Sequence, residues 1–525
     1  MMSNKLLITK KNSNLCIKFT IKNKIGENKM TKKLVYVVIG MLLCAAVISV
    51  AGTKNTFDSN IENNRSDTDW PMFGHDPQHT RVADSTAPPN KLLWSYNTTD
   101  KISSSPAIVD NKVYIGSYSD KIYCLDAITG SEIWNYTTGG DVYSSPAVAN
   151  DIVYVGSTDG KVYYLNKNTG EFIDSFQTGD EVIQSPTVAN GKVYIASTDQ
   201  KLYCLDADSA LELWNFTTDT FSRGTPSVID NKVIYVNWDA TTFCLDAEDG
   251  STIWTHETEE AGMFASPSVA NNKVYFGTID RKFFCLDLIG NGDGTTTELW
   301  NYSVDSMIRS SAAVVNNKVI FSSTYFQYCL DAESGEEIWT YDTNSVTLGR
   351  SSPAVADGKV YFGSSGDLGT IYCLNLSDGD QLWKRFTGDF IHSSFSIAGG
   401  RGYFGSYDGN LYCLGTDDPI LKIENITGGD GVTVLVKNTG LTEATGVTIN
   451  ITFSGGLLII PKEYDYPDTI APEESIEVNM AVIGIGLGIF TPMPVITVTA
   501  ECVEGSFVEQ SQEAKVFFSQ VILSE

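Results

Sequence analysis

The chain is 525 residues long, with 36 Lys plus Arg against 64 Asp plus Glu and a formal net charge of −28 at pH 7. An acid excess on this scale repels phosphate and excludes a general nucleic-acid binder, while suiting a protein kept soluble at a cell surface or in salty surroundings. The length leaves room for a large core and a second domain.

Residues 1–29 are basic and polar without periodicity, and Met30 offers an alternative start. From there Lys32-Lys33 precede an apolar run, Leu34–Ala51, and Ser49-Val50-Ala51 supplies a small-x-small cleavage site. This is the layout of a secretory signal, although the run is also just long enough for an uncleaved anchor. Leu42-Leu43 before Cys44 make a poor lipoprotein box. Lysines on the near flank and acids beyond Asp58 put the bulk of the chain outside. An extracellular or cell-surface protein is expected, touching a membrane only through residues 1–52, with 53–69 as a linker.

The lead-in DWPMFGHDPQHT (69–80) holds His75 and His79, half of the histidines, at a helix-like spacing. Pro77 between them argues against a helix, so packing against the following repeats is expected in preference to a metal site. From residue 70 to 418 one unit dominates. The stretch YCLDAITGSEIW (123–134) returns with its leading aromatic at Tyr123, Tyr163, Tyr203, Phe243, Phe284, Tyr328, Tyr372 and Tyr412. A period of about 40 residues with strand-like content signals a propeller or solenoid. Within one unit SSPAIVD (104–110), KVYIGSY (112–118), KIYCLDA (121–127) and EIWNYT (132–137) alternate as half-buried strands. Asp110-Asn111, Ser119-Asp120 and Thr129-Gly130 supply the turns between them. Eight inner triplets are followed by outer strands assigned at Trp134, Phe176, Trp214, Trp254, Trp300, Trp339 and Trp383. The last triplet has none, and the orphan LLWSYNT (92–98) precedes the first. Pairing the orphan with the last unit closes a ring. The expected fold is therefore all-β, an eight-bladed β-propeller followed by a β-sandwich.

The copies at Asp126 to Trp134, Asp246 to Trp254 and Asp331 to Trp339 resemble the tryptophan-docking motif of pyrroloquinoline-quinone (PQQ) repeat propellers, and the lead-in resembles that superfamily's entry segment. The resemblance spans about 70–415 and implies a fold more than an activity. The superfamily includes quinoprotein dehydrogenases and a non-enzymatic outer-membrane assembly lipoprotein. The alcohol dehydrogenases among them carry an adjacent Cys-Cys pair, which this chain lacks. The absence counts against PQQ. Seven of the ten cysteines, among them Cys124, Cys204 and Cys413, take one repeat position and read as small apolar fillers between blades.

One repeat column varies while its frame stays constant. Two residues before each Ser-Pro-like strand start stand Ser103, Tyr143, Ile183, Arg223, Phe264, Arg309, Arg350 and His392. In the superfamily this edge borders the central funnel, so Arg223, Arg309, Arg350 and His392, with Tyr143 and Phe264, are the candidate ligand-binding residues. Arginines suit carboxylate or phosphate recognition, and the same arginines could equally pair with nearby acids. If His392 contributes charge, anion binding weakens above pH 7.

The insertion DLIGNGDGTTTE (287–298) offers Asp287, Asn291, Asp293 and Glu298 at alternating places. It resembles the calcium loops of some propellers, with Ile289 where another Asp belongs, and reads otherwise as a plain glycine-rich hairpin. Calcium is the one metal the sequence suggests. Asn-x-Ser/Thr triplets fall at Asn97 and, directly after repeat tryptophans, at Asn135, Asn215 and Asn301, where glycans would face solvent.

Beyond Pro419 the period stops. Residues 419–525 read as about seven short strands, including 431–440, 446–453, 474–480 and 494–502, which suggests a β-sandwich. VTVLVKNTGLTEATGVTINITF (432–453) resembles the CARDB-type, immunoglobulin-like adhesion modules of surface proteins. The expectation is a non-enzymatic binding or scaffold protein whose partners are proteins or glycans at the cell surface. A PQQ-dependent dehydrogenase and an envelope-assembly scaffold are the alternatives.

Overall fold

The computed structural model describes residues 6–11 and 14–19, then 69–523 except 259–261, 263, 344–349, 367, 417, 419–420 and, further on, 430, 439, 441–442, 455–456, 460–468, 472–473, 481–482, 487–494, 503–506 and 519. The expected signal or anchor at 30–52 and the tether up to residue 68 lie outside the described residues. The chain divides into two compact units, Met1–Asn64 and Arg65–Glu525. In the first, Leu6–Lys11 pairs antiparallel with Asn14–Phe19, with Ile8 opposite Ile17. Sequence reading found no periodicity there; the pairing rests on β-branched and apolar residues such as Ile8, Thr9 and Ile17, which favour extended chain.

In the second unit the repeats form propeller-like, all-β structure. Among the described residues there are seven four-stranded sheets and one of five strands. We number them 1 to 8 by their inner strands: Ala107–Val109, Ala147–Ala149, Thr187–Ala189, Ser227–Ile229, Ser268–Ala270, Ala313–Val315, Ala354–Ala356 and Ser396–Ala398. Local chemistry explains each hairpin. The first turn places two residues at positive φ, as at Asp110 and Asn111 (52° and 56°) or Asn316 and Asn317 (47° and 58°), which matches the twist of the flanking strands. In the third turn Asp126 Oδ1 accepts from the N–H groups of Ile128 (3.0 Å) and Thr129 (2.7 Å). Gly130 completes that turn at φ 71°.

Neighbouring sheets are joined by the tryptophans. Trp134 Nε1 donates to Lys167 O of sheet 2 (3.1 Å), Trp214 to Ala247 O (3.2 Å) and Trp339 to Leu376 O (3.0 Å). Six of the rings, all but Trp383, lie on the glycine of the next sheet's third turn: a Cβ on Gly170 would stand 2.6 Å from Trp134 Cδ2. Sheet 2 departs from this pattern, and the assignment of Phe176 to the tryptophan position is corrected. Tyr164 pairs with Asp174, as Cys124 pairs with Trp134, so Asp174 occupies that position and Phe176 corresponds to Tyr136. The receiving turn in sheet 3 accordingly carries Ala210 at φ 52°, where the other turns have glycine. With no indole arriving, a Cβ fits.

The orphan strand Leu92–Asn97 pairs with Asn410–Gly415 as the outer strand of sheet 8. Its Trp94 docks on sheet 1, donating to Ala127 O (3.2 Å). The inner edges also join into a circle. Ser105 N–H donates to Ser145 Oγ (2.9 Å) and Ser145 N–H to Ser185 Oγ (3.0 Å). The series continues through Thr225, Ser266, Ser311 and Ser352 to Ser394, whose N–H returns to Ser105 Oγ (2.9 Å).

The lead-in runs round the inner strands and covers their free edges. Carbonyls of Trp70, Pro71, Pro77, Gln78, Thr80 and Arg81 accept from Ile108, Val148, Val228, Val269, Val314 and Val355 at 2.7–3.1 Å. His79 is fully buried, with Nδ1 within reach of Ser227 Oγ (2.9 Å) and Pro267 O (3.1 Å). Burial and the nearby Arg81 push its pKa down to about 4. It packs, at positive φ, as expected of a lead-in residue.

The repeat cysteines are free and buried. Cys124 sits between sheets 1 and 2 with Tyr114, Trp134 and Val153. In the C-terminal part, Leu421–Gly429, Gly431–Asn438 and Ser475–Met480 form one sheet, and Thr448–Ser454, Val495–Glu501 and Phe507–Phe518 lie in another. Alternate residues of both, such as Val434, Val478, Ile449 and Val498, share one core. More strands are present than the sequence reading counted. Short pieces such as Ala444–Thr445 and Ile483–Gly486 carry too little pattern to be read alone.

Candidate functional site: a cup on the axis

Each inner strand is preceded by a column residue, a middle residue and a hydroxyl residue, the middle one being serine in five sheets and Gln184, Gly224 and Ala265 in sheets 3, 4 and 5. Because side chains alternate along an extended segment, the first and third face the axis and the middle one turns back to its own sheet. Ser104 Oγ accepts from Gly116 N–H (3.2 Å) and Ser351 Oγ from Gly363 N–H (2.9 Å). The frame is thereby fixed and the column residue is free to differ. All eight column residues line one cup of about 500 Å³, joined by Tyr118, Asp141, Thr158, Glu181 and Tyr407.

The arginines gather round one ring. The guanidinium carbons of Arg223, Arg309 and Arg350 stand 5.0, 5.2 and 6.0 Å from the Phe264 centroid, an arrangement favoured by the ring's negative faces. Among the described residues none of the three forms an ion pair. Burial and then the charge of Arg350 lower the pKa of both Arg223 and Arg309. Arg309 Nε is buried without a hydrogen-bond partner.

His392 belongs to the same wall, 4.3 Å from the Tyr407 ring, and both its nitrogens are buried and unpartnered. The expectation that it lends positive charge is corrected. Burial, then Arg350 and Arg309, push its pKa down to about 3, so the imidazole is neutral across the physiological range.

Aromatic rings continue the wall. Tyr118 lies 4.2 Å from Tyr143 and its hydroxyl is 2.9 Å from that of Tyr407. Phe221 stacks on Trp238 at 5.3 Å, and Trp238 meets Phe264 edge-on at 5.2 Å. In the circle of sheets Asp141 (sheet 2) stands opposite Arg309 (sheet 6), and Glu181 (sheet 3) opposite Arg350 (sheet 7). Burial and the neighbouring Asp120 raise the pKa of Asp141. Glu181 also acts on Arg223 of the adjacent sheet 4, raising its pKa against the effects of burial and Arg350, so acid and base meet at that edge of the cup. Sequence reading missed Tyr118, Tyr407, Trp238, Asp141 and Glu181. The signal was available: Tyr118, Thr158, Trp238 and Tyr407 form a second varying column, each following a near-constant Ser or Asn.

Below the column the cup narrows to a cavity of about 150 Å³ walled by the circle of hydroxyls, with Phe73 of the lead-in also lining it. The carbonyls that cap the inner edges belong to the same lead-in.

The loop 287–298 does not bring its four oxygen residues together. Asp293 Oδ1 accepts from Thr295 N–H (3.0 Å), and Asn291 bonds Thr295 (3.0 Å) and Thr297 (3.0 Å). Glu298 accepts from Asn301 Nδ2 (2.6 Å) and lies 3.8 Å from His256, while Asp287 Oδ1 accepts from Ile289 N–H (3.2 Å). Among the described residues no group of three or more His, Cys, Asp or Glu is placed to hold a metal. Asn97, Asn135, Asn215 and Asn301 are exposed on outer strands, away from the cup.

Many solved structures share this architecture. BamB from Moraxella catarrhalis matches at 16% identity over 62% of this chain and all of its own, with a TM-score of 0.54. A europium-containing methanol dehydrogenase matches at 13% identity over 69% of this chain and all of its own, TM-score 0.56. A quinohemoprotein alcohol dehydrogenase from Comamonas testosteroni matches at 15% identity over 69% of this chain and 82% of its own, TM-score 0.56. At these identities the likeness is one of fold. No curated protein matches by sequence. The family model described as outer membrane protein assembly factor BamB matches residues 78–180, 174–385 and 288–418, well over half of the chain, and the chain belongs to that family.

Proposed function

We propose that this is an exported or cell-surface, non-enzymatic binding and scaffold protein. Its repeats form an eight-bladed β-propeller whose axial cup takes an anionic ligand, and its C-terminal sheets form a CARDB-type, immunoglobulin-like β-sandwich that acts as a spacer or adhesion module. One observation carries the reading: three arginines converge on Phe264 and form no ion pair among the described residues. Like charges held together in a partly desolvated cup repel one another unless an anion joins them. The aromatic wall adds faces on which a sugar or peptide can lie.

The dehydrogenases among the structural neighbours raise PQQ with calcium as an occupant, and the wall residues do not fit that pair. Calcium wants six to eight oxygens on one side of the quinone. Here the carboxylates among the described residues lining the cup are Asp141 and Glu181, from different sheets, too few oxygens for such a shell, and Glu181 is engaged electrostatically with Arg223. The repeat cysteines are dispersed through the sheets. An assembly role remains a second reading, favoured by the family match; there the rim and outer strands would receive segments of partner proteins.

The test is a panel of carboxylated and sulfated ligands titrated into wild type and Arg309→Glu/Arg350→Glu. Binding that weakens with salt and is lost in the variant, at an unchanged melting temperature, supports the cup. Equal binding by both proteins, or by neither, removes it.

A further inference from the structure

The circle of hydroxyls beneath the arginines has a chemical asymmetry. Every Oγ in it accepts one backbone N–H from the preceding sheet, and none donates its own proton to a protein atom among the described residues. These side chains are only 2 to 6% exposed, and what they line is the narrow cavity of about 150 Å³. A hydroxyl that accepts from an amide has one lone pair committed and its O–H polarised, so it becomes a better donor and a poorer acceptor. Eight such groups on one axis make a crown that presents hydrogen, not oxygen. Cations find little there; anions find donors.

The charges around the crown agree. Arg223, Arg309 and Arg350 stand two residues ahead of Thr225, Ser311 and Ser352 on the same face of extended chain, about 7 Å away. Arg309 Nε is an unpartnered donor in this wall. Phe73, which also lines the cavity, carries the guanidinium of Arg81 at 4.2 Å from its centroid. Arg81 is fully buried with no hydrogen-bond partner on any of its three nitrogens. Asp76 opposes that charge, and Asp141 and Glu181 oppose those of the upper arginines. Two orphaned acceptors, Gln184 Oε1 and one His392 nitrogen, share the wall; a water carried in with an ion satisfies them. At roughly 30 Å³ per water the cavity holds an oxyanion with little else.

We infer that the floor of the cup is an oxyanion seat, in which a sulfate, phosphate or carboxylate group sits on the axis, receiving O–H donors from the crown and charge from the arginines. The inference rests on the cup being a ligand site and names the group that enters first. The seat serves a free inorganic ion or the acidic group of a larger ligand, such as a uronic-acid sugar whose ring lies on the aromatic wall.

Sodium sulfate, methyl glucuronoside and methyl glucoside are titrated by calorimetry into the whole exported chain at constant ionic strength. Four proteins are compared: wild type, Ser311→Ala/Ser352→Ala, Ser311→Thr/Ser352→Thr and Arg309→Glu/Arg350→Glu. The threonine variant keeps both hydroxyls, as Thr225 does naturally in the same column. The expectation is that sulfate and glucuronoside compete for one site on wild type and the glucoside does not bind. The alanine variant should lose at least tenfold in affinity, and the threonine variant should stay within about threefold of wild type. Sulfate binding that is equal in wild type and the alanine variant but absent in the glutamate variant overturns the crown and leaves the cup standing. Glucuronoside binding without sulfate binding does the same. No binding of either overturns both. Should the alanine variant fail to fold, chloride NMR line broadening on wild type, reversed by sulfate, supports the seat, and its absence overturns it.

Discussion

The contact between a repeat tryptophan and the next sheet's glycine can be tested by a mutation the protein already contains elsewhere. Gly170 lies at φ 71°, and a Cβ there meets Trp134 Cδ2 and Cε3 at 2.6 Å each. Gly170→Ala therefore carries two costs. The left-handed backbone conformation is about 1–2 kcal/mol worse for alanine than for glycine. Forcing a methyl group against the indole adds about 1–3 kcal/mol of overpacking. The sum is roughly 2–5 kcal/mol. Trp134→Ala alone removes a largely buried ring and the bond to Lys167 O, at about 3–5 kcal/mol. In the double variant the clash has no partner and only the backbone cost of Gly170→Ala survives. The two changes should then be less damaging together than their sum by about 1–3 kcal/mol. Sheet 3 makes the same point naturally, with Ala210 at φ 52° receiving no indole because Asp174 holds the tryptophan position. Urea denaturation followed by far-ultraviolet circular dichroism supplies the four free energies of the cycle. Additivity within about 0.5 kcal/mol would refute the docking argument.

Three further outcomes are expected. Deleting residues 69–83 uncovers six inner-edge N–H groups and opens the cup's floor, so the chain should unfold at lower urea and aggregate through the bared edges; an unchanged midpoint would show that the lead-in is not a closing element. His392 and His79 have folded pKa values depressed to about 3 and about 4 from an ordinary 6.5, so the unfolded chain binds more protons between those values. Stability should hold above pH 6.5 and fall below it, by up to ~1.4 kcal/mol per pH unit per histidine, and a His392→Asn variant should show a shallower fall. EDTA should leave the melting temperature untouched, because the oxygens of 287–298 are engaged in their own turn; a drop that Asp293→Ala abolishes would reinstate calcium there.

What the sequence determined by itself was everything carried by near neighbours in the chain. Asp110-Asn111 and its counterparts commit each hairpin locally, because only small polar residues and glycine accept two positive φ values in succession. The aspartate and glycine of YCLDAITG commit the third turn in the same way. Repetition made the inner column legible, since a constant frame isolates Arg223, Arg309, Arg350 and His392 as the places free to differ. The tertiary structure decided what depends on residues about 40 apart or at opposite ends of the chain. Only the ladder shows that Asp174, and not Phe176, stands where the tryptophan would, because an extended strand can shift by two residues and keep its pattern. Only the circle of sheets sets Asp141 against Arg309, because opposition across an axis has no trace in spacing. The neutrality of His392 is likewise a tertiary fact: the imidazole loses its charge to burial and to arginines brought beside it from other sheets. The hydroxyl crown is the clearest case. Each serine in it is an ordinary strand-start residue until curvature brings the neighbouring amide within hydrogen-bonding distance, and that geometry leaves eight O–H groups facing a single axis.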